Sequence, residues 1–134
     1  MDFQIREYAA FEREEVLALY ESVGWTGYTC RFDCMEQAFA RSLKIYGAYV
    51  QEKLVGLIRV VGDGVTIVYI QDLLVHPAYQ RMGIGKALMG RLLEEYQTVY
   101  QKVLATDDTE KTLAFYRHVG MKADHEIGCR LFMR

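Results

Sequence analysis

The segment 74–88 constrains the fold more than any other part of this 134-residue chain. A β-branched and aromatic run, 65–75, leads into it, and an amphipathic run to about residue 97 follows, so the segment joins a strand to a helix. Gly83 and Gly85 therefore lie where the helix begins. The first N–H groups of a helix have no partner within the helix and carry partial positive charge, so this end attracts anions.

The residue types of this loop favour a phosphate or pyrophosphate ligand. Gly83 and Gly85 have no Cβ, so an anion can approach the main chain closely and the loop can adopt left-handed dihedrals. Lys86 adds a cation in the first turn, where cations are normally disfavoured, and an anionic ligand explains it better than a solvated surface lysine. The alternative is that the two glycines only permit close helix packing.

The loop sequence resembles a known cofactor motif. Leu-Val-His-Pro at 74–77, followed by Gln-Arg-Met-Gly-Ile-Gly at 80–85, is similar to the Gln/Arg-x-x-Gly-x-Gly/Ala acetyl-coenzyme A motif of the GCN5-related N-acetyltransferases (GNAT). The resemblance implies that main-chain groups of Leu74 and Val75 bind the pantetheine arm like an added strand, while N–H groups from about Arg81 to Lys86 meet the pyrophosphate. The cofactor-binding residues expected from it are Leu74, Val75, Gln80, Arg81, Met82, Gly83, Ile84, Gly85, Lys86 and Thr109.

Composition limits the class of protein. With 51% hydrophobic and 25% charged residues, 134 residues suit one globular domain, 1–134, with a single core. A net charge of −2 without a Lys/Arg block disfavours binding to a nucleic acid backbone. The first residues lack the apolar region of a signal peptide and no apolar run approaches about 18 residues, so we expect a cytoplasmic protein without a membrane partner.

The three cysteines predict no disulfide framework. Cys30, Cys34 and Cys129 are an odd number, which fits a reducing compartment. Cys30-x-x-x-Cys34 and His125-x-x-x-Cys129 together suggest a zinc site, but structural zinc pairs usually have tighter Cys spacing and turn glycines. We therefore expect no metal.

Hydrophobic periodicity and breakers predict the remaining elements. Gly47 is expected to end a second helix capped by Asp33, with Glu36 in capping-box position, and Asp63-Gly64 to form a turn. The predicted order is a strand at 3–8, a helix at 12–22, a helix from 33, strands at 48–51, 54–61 and 65–75, a helix from 83, a strand at 102–106, a helix from 110 and a strand at 129–133.

This order predicts an α/β fold with a mixed sheet. Three strands without intervening helices imply an antiparallel meander, and the later strand-helix-strand unit implies a parallel pair with a right-handed crossover. The whole order is similar to that of the GNAT fold. The resemblance implies that acyl-CoA lies in a splay between the strand ending at Val75 and the strand ending near Thr106.

Acetyl transfer to an amine needs a neutral nucleophile. A Lys-like amine has a pKa near ~10.4, so a base or proton wire must remove a proton at neutral pH. Asp72 lies in an otherwise apolar strand end, where burial raises a carboxyl pKa; the alternative is a carboxylate satisfied by a loop amide or an Arg. Many GNAT members have Glu where this chain has Gln71, which cannot act as a base. The base is then Asp72, a water chain through Tyr69, or none, if the amine arrives partly deprotonated.

The stretch 109–121 resembles a second family motif, Asn-x-x-Ala-x-x-Phe-Tyr-x-x-x-Gly-Phe. The resemblance implies that the hydroxyl of Tyr116 faces the thioester sulfur and protonates the leaving thiolate; the alternative is an ordinary core aromatic. Thr109, Thr112 and Met121 depart from the motif. Thr109 retains a hydroxyl for the cofactor but is expected to bind it more weakly than Asn.

The acceptor is expected to enter beneath the loop between the first two helices. Trp25, Tyr28 and Phe32 can form an apolar wall, with Arg31, Asp33 or Arg59 setting charge preference, although Trp25 can also simply cover the core. The expected substrate-binding residues are Trp25, Tyr28, Tyr69 and Gln71.

Together these features predict an acetyl-CoA-dependent N-acetyltransferase that acetylates an amine acceptor directly. One alternative is a non-catalytic acyl-CoA-binding or sensing module of the same fold. The other is a dinucleotide-binding domain, because Asp107 follows the glycines by about twenty residues, but Leu88 stands where the third glycine belongs. The sequence does not identify the acceptor, and a homodimer is expected because an apolar edge at 131–133 would otherwise be exposed.

Overall fold

The structure is a computed structural model that describes residues 2–29 and 31–134. Two compact units make up the chain, Met1–Val103 and Leu104–Arg134. None of the helices in the described residues is both long and apolar enough to cross a membrane. The prediction that involves Cys30 lies outside the described residues.

The elements follow the predicted order up to the last helix, except that the predicted loop between the first two helices contains a four-residue helix at Thr26–Thr29. Their bounds are β1 (Gln4–Glu7), α1 (Arg13–Ser22), α2 (Thr26–Thr29), α3 (Met35–Ala40), β2 (Lys44–Val50), β3 (Lys53–Gly62), β4 (Ile67–Val75), α4 (Ile84–Glu95), β5 (Gln101–Leu104) and α5 (Glu110–His118), with 3₁₀ turns at Phe32–Cys34, Pro77–Tyr79 and Asp124–Glu126.

Strands β1 to β5 form a mixed sheet in chain order. Strands β1 to β4 pair antiparallel, as the meander prediction required. The main-chain N–H groups of Tyr100 and Gln101 donate to the carbonyls of Val65 and Thr66 at 3.2 and 2.9 Å. Because β4 and β5 therefore start side by side, they run in the same direction, and the predicted α/β mixed sheet with a parallel pair is confirmed.

The turn before β4 depends on one carboxylate. Asp63 Oδ1 accepts hydrogen bonds from the main-chain N–H groups of Val65, Thr66 and Ile67 at 2.9, 2.8 and 3.0 Å, and Oδ2 accepts from the Thr66 hydroxyl at 2.7 Å. These bonds satisfy donors that no strand reaches. The predicted Asp63-Gly64 turn is thus confirmed, and β4 begins two residues later than predicted.

Two layers of helix enclose the sheet residues of the first unit. Helix α4 buries Ile84, Leu88, Met89 and Leu92, which fall on the apolar stripe expected of an amphipathic helix. A second apolar cluster joins α1 and α3 to the strands. Its buried members are Tyr8, Val16, Leu19, Tyr20, Phe32, Met35, Phe39, Ile45, Leu54, Leu57 and Leu74.

Strand β4 carries an irregularity next to the predicted base. Arg59 pairs with Asp72 in register, whereas Val60 pairs with Ile70, so Gln71 is an extra residue between them. Such a bulge bends a strand and re-aims the side chains beside it. Here the residue that it adds is Gln71.

Two details of the predicted helices are wrong. Helix α3 ends at Ala40, and Gly47 lies inside β2, where a Cβ would come within 2.9 Å of Leu54 Cδ1. Gly47 is therefore needed for close packing rather than as a breaker. Asp33 does not cap α3, which has no side-chain cap; its carboxylate instead accepts from Arg13 Nη2 at 3.3 Å.

The predicted strand at 129–133 does not form within the described residues. The chain turns back on itself there, because the main-chain N–H groups of Ile127 and Cys129 both donate to the carbonyl of Asp124 at 3.2 and 2.9 Å. Donors used in a local turn cannot extend a strand ladder. The side chains of Leu131, Phe132 and Met133 are 53%, 87% and 83% exposed. The apolar edge predicted from the sequence is therefore an exposed segment without strand structure.

Candidate functional site

The glycine loop is held in a shape that few residues tolerate. Arg81 and Gly83 have φ angles of 67° and 85°, both in the left-handed region. A Cβ on Gly83 would meet no atom within 4 Å. Gly83 is therefore required by its backbone conformation, and the alternative that it serves close packing is wrong. The space in front of it is open to a ligand.

Helix α4 begins without a side-chain cap. Its first intrahelical bond runs from Ala87 N to Gly83 O at 3.0 Å, so the N–H groups of Ile84, Gly85 and Lys86 have no acceptor within the helix. The side chains of Arg81 and Lys86 are exposed, and Met82 is partly buried. An anion placed here would meet oriented main-chain donors, the positive end of the helix and two mobile cations.

The strand that leads into this loop has an unpaired edge. Strand β4 has nine residues, whereas its neighbour β5 has four. Strand β5 starts beside the first residues of β4. Among residues 2–29 and 31–134, the second half of β4, including Leu74 and Val75, therefore has β3 on one side and no partner strand on the other. Gln80 Nε2 donates to the carbonyl of Val75 at 3.1 Å, so this predicted cofactor-binding side chain braces the loop itself.

Asp72 is buried and accepts three hydrogen bonds from protein groups. It is 2% exposed. Its Oδ2 accepts from Arg59 Nε at 2.7 Å and from the Tyr20 hydroxyl at 2.8 Å, and its Oδ1 accepts from the Tyr28 hydroxyl at 2.8 Å. Of the two alternatives left open by the sequence, these contacts favour a carboxylate paired with an Arg over a general base.

The bonds continue in two directions from this carboxylate. Gln71 Nε2 donates to the Tyr28 hydroxyl at 3.1 Å. That hydroxyl therefore accepts from Gln71 and donates to Asp72, the next residue of β4. Arg59 Nη1 donates to Ser42 Oγ at 3.2 Å, and Ser42 Oγ in turn donates to the carbonyl of Ala38 at 2.8 Å. The network joins α2, β3, β4 and the end of α3.

The surroundings of Tyr20, Tyr28 and Arg59 keep these three side chains in their usual charge states. Burial and the charge of Asp72 raise the pKa of Tyr20. Burial also raises the pKa of Tyr28, against a lowering by the Gln71 hydrogen bond. Burial alone would lower the pKa of Arg59, but the charge and hydrogen bond of Asp72 raise it. Both phenols stay protonated donors and the guanidinium stays charged.

Of the three aromatic residues predicted to line the acceptor side, Trp25 and Tyr28 pack together, whereas Phe32 is 5% exposed and belongs to the core. The Tyr20 ring contacts Trp25 and Tyr28 edge to face, with centroids 5.8 and 5.3 Å apart, and Trp25 lies 6.2 Å from Tyr28. An open pocket of about 400 Å³ is lined by Gly24, Trp25, Gly27 and Tyr28. We call Trp25 and Tyr28 the acceptor wall. The structure thus joins three predicted substrate residues, Trp25, Tyr28 and Gln71.

Tyr69 is separate from that wall. It is a partly buried residue of β4 that pairs in register with Val61, before the bulge. Because Val61 and Arg59 lie on one face of β3, their partners Tyr69 and Asp72 lie on the same face of the sheet. The place of Tyr69 in an acceptor site beside Trp25 and Tyr28 remains a prediction.

Tyr116 belongs to the second unit. Burial and the charge of Asp107 raise its pKa, whereas a hydrogen bond with Thr106 lowers it. Thr109 is the N-cap of α5, because its Oγ1 accepts from Thr112 N at 3.2 Å and donates to Thr112 Oγ1 at 2.9 Å. The hydroxyl predicted to bind the cofactor therefore already makes two hydrogen bonds, both to Thr112.

The sequence interpretation missed Tyr20, and it assigned Arg59 only to charge preference. A signal for Arg59 did exist. Arg59 and Asp72 are isolated opposite charges in two apolar strands predicted to be consecutive and antiparallel, a pattern that favours a buried ion pair. Tyr20 lies 52 residues from Asp72 and carried no such signal.

No group of three or more His, Cys, Asp or Glu side chains among the described residues is arranged to hold a metal ion. Cys34 and Cys129 are exposed free thiols.

Comparison with known proteins places this geometry in a family. A model of the acetyltransferase (GNAT) family matches residues 7–121. The fold is similar to that of a GNAT-family acetyltransferase from Streptococcus pneumoniae, with a TM-score of 0.90, 41% identity and coverage of 99% of this chain and 97% of that one. It also resembles the PaiA N-acetyltransferase of Thermoplasma acidophilum, solved in complex with coenzyme A, with a TM-score of 0.71, 19% identity and 92% coverage of each chain.

A relative in sequence gives the same family. An uncharacterized N-acetyltransferase of Prochlorococcus marinus is 31% identical over 123 residues, which cover 87% of this chain and 64% of that protein. This chain thus spans less than two thirds of that relative. Since the family model extends over most of the chain and the sheet, the glycine loop and the order of helices agree with it, the chain belongs to the GNAT acetyltransferase family.

Proposed function

We propose that this protein is an acetyl-CoA-dependent N-acetyltransferase that transfers the acetyl group directly to an amine acceptor, with residues 1–134 acting as one domain. One observation carries the proposal. The left-handed backbone at Arg81 and Gly83 opens an uncapped helix start beside an edge of β4 that no other strand in the described part of the chain pairs with. This is the combination that an extended ligand ending in a pyrophosphate requires.

The residues present fit acetyl-CoA. The edge of β4 at Leu74 and Val75 would hold the pantetheine arm through main-chain groups, and the N–H groups from Arg81 to Lys86 would hold the pyrophosphate. Bound acetyl-CoA would supply the acetyl group as an activated thioester. The coenzyme A complex of the T. acidophilum relative supports the same ligand class here.

Tyr116 is the proposed acid. Its pKa is raised mainly by burial, so the phenol keeps its proton at neutral pH and can give it to a departing thiolate, whose thiol has an ordinary pKa near ~8.5. The amine loses one proton as its nitrogen bonds the acetyl carbon. Because three donors already occupy Asp72, we favour a water chain through Tyr69 or a partly deprotonated amine as the source of the neutral nucleophile.

The acceptor class is an amine on a small molecule, a peptide or a protein. The acceptor wall supports binding through aromatic faces, which attract both apolar groups and ammonium ions. We further propose a cytoplasmic protein that acts as a homodimer, without a nucleic acid, membrane or metal partner. The exposed apolar segment 131–133 supports the dimer.

A second candidate is an acyl-CoA-binding module without turnover. Two observations favour it: the Gln71 amide, which cannot act as a base, is bound to Tyr28, and the Thr109 hydroxyl is used in capping α5. Both departures leave the proposed pantetheine and pyrophosphate contacts intact.

Calorimetric titration with acetyl-CoA, CoA and NADH, followed by thiol release on a panel of amines, separates the candidates. Acetyl-CoA binding with amine-dependent thiol release supports the transferase. Binding of acetyl-CoA without release on any amine supports the binding module. Binding of NADH alone would overturn both.

A further inference from the structure

We propose that Asp72 and Arg59 are positioning residues that hold the acceptor wall in place through Tyr28, and that Asp72 is not the general base. This inference rests on the proposed function and names how its acceptor side is built. It places a structural ion pair where the sequence predicted proton transfer.

The segment that carries the wall needs an outside anchor. Helix α2 has four residues, and a helix this short does not hold its shape alone in water. Within the segment, Tyr28 N donates to the carbonyl of Trp25 at 3.1 Å, which makes one local turn. The Tyr28 hydroxyl reaches the sheet, where it donates to Asp72 Oδ1 across 44 residues of sequence.

That anchor is fixed in both position and direction. The Tyr28 hydroxyl has one proton, which it donates to Asp72, and it accepts from Gln71 Nε2 at 3.1 Å. The bulge at Gln71 lets consecutive β4 residues provide a donor and an acceptor to the same hydroxyl. The Tyr28 ring then sets the Trp25 ring, 6.2 Å away, at the mouth of the pocket.

The ion pair beneath the anchor is closed to solvent and already has three hydrogen-bond donors. The side chains of Arg59 and Asp72 are 6% and 1% exposed, and Arg59 Nε, Tyr20 and Tyr28 bind the two carboxylate oxygens. Protonation of Asp72 would weaken three charge-assisted hydrogen bonds at once, and an ammonium ion would have to enter a nearly dry site. Asp72 thus acts by holding Tyr28, and the acceptor amine meets the aromatic wall.

Trp25 is the single tryptophan of the chain, so its fluorescence reports on the wall without any substrate. We would compare Tyr28→Phe with Tyr8→Phe, a matched control in which the lost hydroxyl also donates to a carboxylate, Glu15, at 2.9 Å. Tyr28→Phe should raise the acrylamide quenching constant of Trp25 about twofold or more, whereas Tyr8→Phe should leave it unchanged. Gln71→Ala, at an exposed position, should give a smaller rise in the same direction.

Kinetics then test the role in transfer, using an amine that the thiol-release panel identifies. Tyr28→Phe and Gln71→Ala should raise the KM for the amine roughly 2- to 13-fold, the value of one hydrogen bond, with kcat within about twofold. Asp72→Asn should keep the wild-type pH profile of kcat/KM. Should Asp72→Asn prove unfolded, Arg59→Lys, which retains a cation, should show the same raised KM and unshifted profile.

Two results would overturn the proposal: Trp25 quenching that is the same in Tyr28→Phe, Tyr8→Phe and wild type, or loss of the acidic limb of the pH profile in Asp72→Asn. Failure of the proposed function is distinguishable. A protein that releases no thiol on any amine loses the transferase assignment, whereas the quenching comparison still tests the anchor.

Discussion

Arg59 Nε and Asp72 Oδ2 lie 2.7 Å apart across the β3–β4 ladder, at the one place where that ladder shifts its register. The pair is nearly excluded from solvent. Asp72 also accepts hydrogen bonds from Tyr20 and Tyr28, and Arg59 also donates to Ser42. A charge pair in this setting contributes little net attraction but becomes very costly when one partner is removed.

Removal of one member of the pair should therefore cost more than removal of both. Asp72→Ala should lower the free energy of unfolding by about 3–5 kcal/mol, because Arg59 is left buried without a counter-charge. Asp72→Leu combined with Arg59→Met should cost less than either Asp72→Leu or Arg59→Met alone. Urea unfolding of the four proteins in a double-mutant cycle measures this coupling, and strict additivity would contradict it.

Gly83→Ala and Gly90→Ala form a matched pair. A Cβ at either glycine would meet no atom within 4 Å, but Gly83 has φ +85° whereas Gly90 lies inside helix α4. Gly83→Ala should destabilise the fold by about 1–2 kcal/mol, and Gly90→Ala should stabilise it by up to about 1 kcal/mol. Calorimetric titration should show acetyl-CoA affinity reduced about tenfold in Gly83→Ala and unchanged in Gly90→Ala; equal affinities would count against the loop as the pyrophosphate site.

Tyr116→Phe should separate chemistry from binding. Loss of a general acid lowers kcat by a factor of about 100 or more, while the Kd for acetyl-CoA should change little. Because burial raises the pKa of Tyr116, the wild-type kcat should show no alkaline fall from this group until above pH ~10. Tyr100→Phe, at a residue that is 78% exposed, is the control and should behave as wild type. An equal loss of acetyl-CoA affinity and turnover in Tyr116→Phe would contradict the role of Tyr116 as the general acid.

The turn at Asp63 should contribute to acid sensitivity. Hydrogen bonds from the Thr66 hydroxyl and from three main-chain N–H groups lower the pKa of Asp63 below its ordinary value. Its stabilising effect is therefore complete above the unfolded pKa of about 3.9 and is lost as the pH falls further, towards the folded pKa. The stability gap between wild type and Asp63→Asn, from urea unfolding, should be constant near neutral pH and shrink below pH ~4. A gap that stays constant down to pH 2 would contradict the turn as its source.

Much of the fold was predictable because local patterns and long-range packing agree here. The apolar residues of α4 recur at helical spacing, and the Asp63 carboxylate bonds residues two to four positions further on. Both patterns are local, so the sequence is enough to predict them. The prediction failed where the decisive partner is distant. Gly47 resembled a helix breaker because its partner, Leu54 Cδ1, is known only once β2 and β3 are paired.

The candidate site divides in the same way. The glycine loop was predictable because the glycine pattern follows from the backbone conformation of a few consecutive residues. The state of Asp72 was not, since it depends on three donors from α1, α2 and β3 that only the folded sheet brings together. The acceptor wall was anticipated at Trp25 and Tyr28, but the reason that it holds its position was not.

The bulge at Gln71 also affects how this strand can evolve. Ile70 pairs with Val60, whereas Asp72 pairs with Arg59, which lies on the opposite face of β3 from Val60. The extra residue therefore moves the buried side chains of β4 from one face of the sheet to the other. Deletion of residue 71 would leave both pairs on their own faces and restore a regular ladder, but it would remove one hydrogen-bond donor from the acceptor wall. Residue 71 thus lies outside the pairing that builds the sheet, so selection at this position can change the pocket without changing the core.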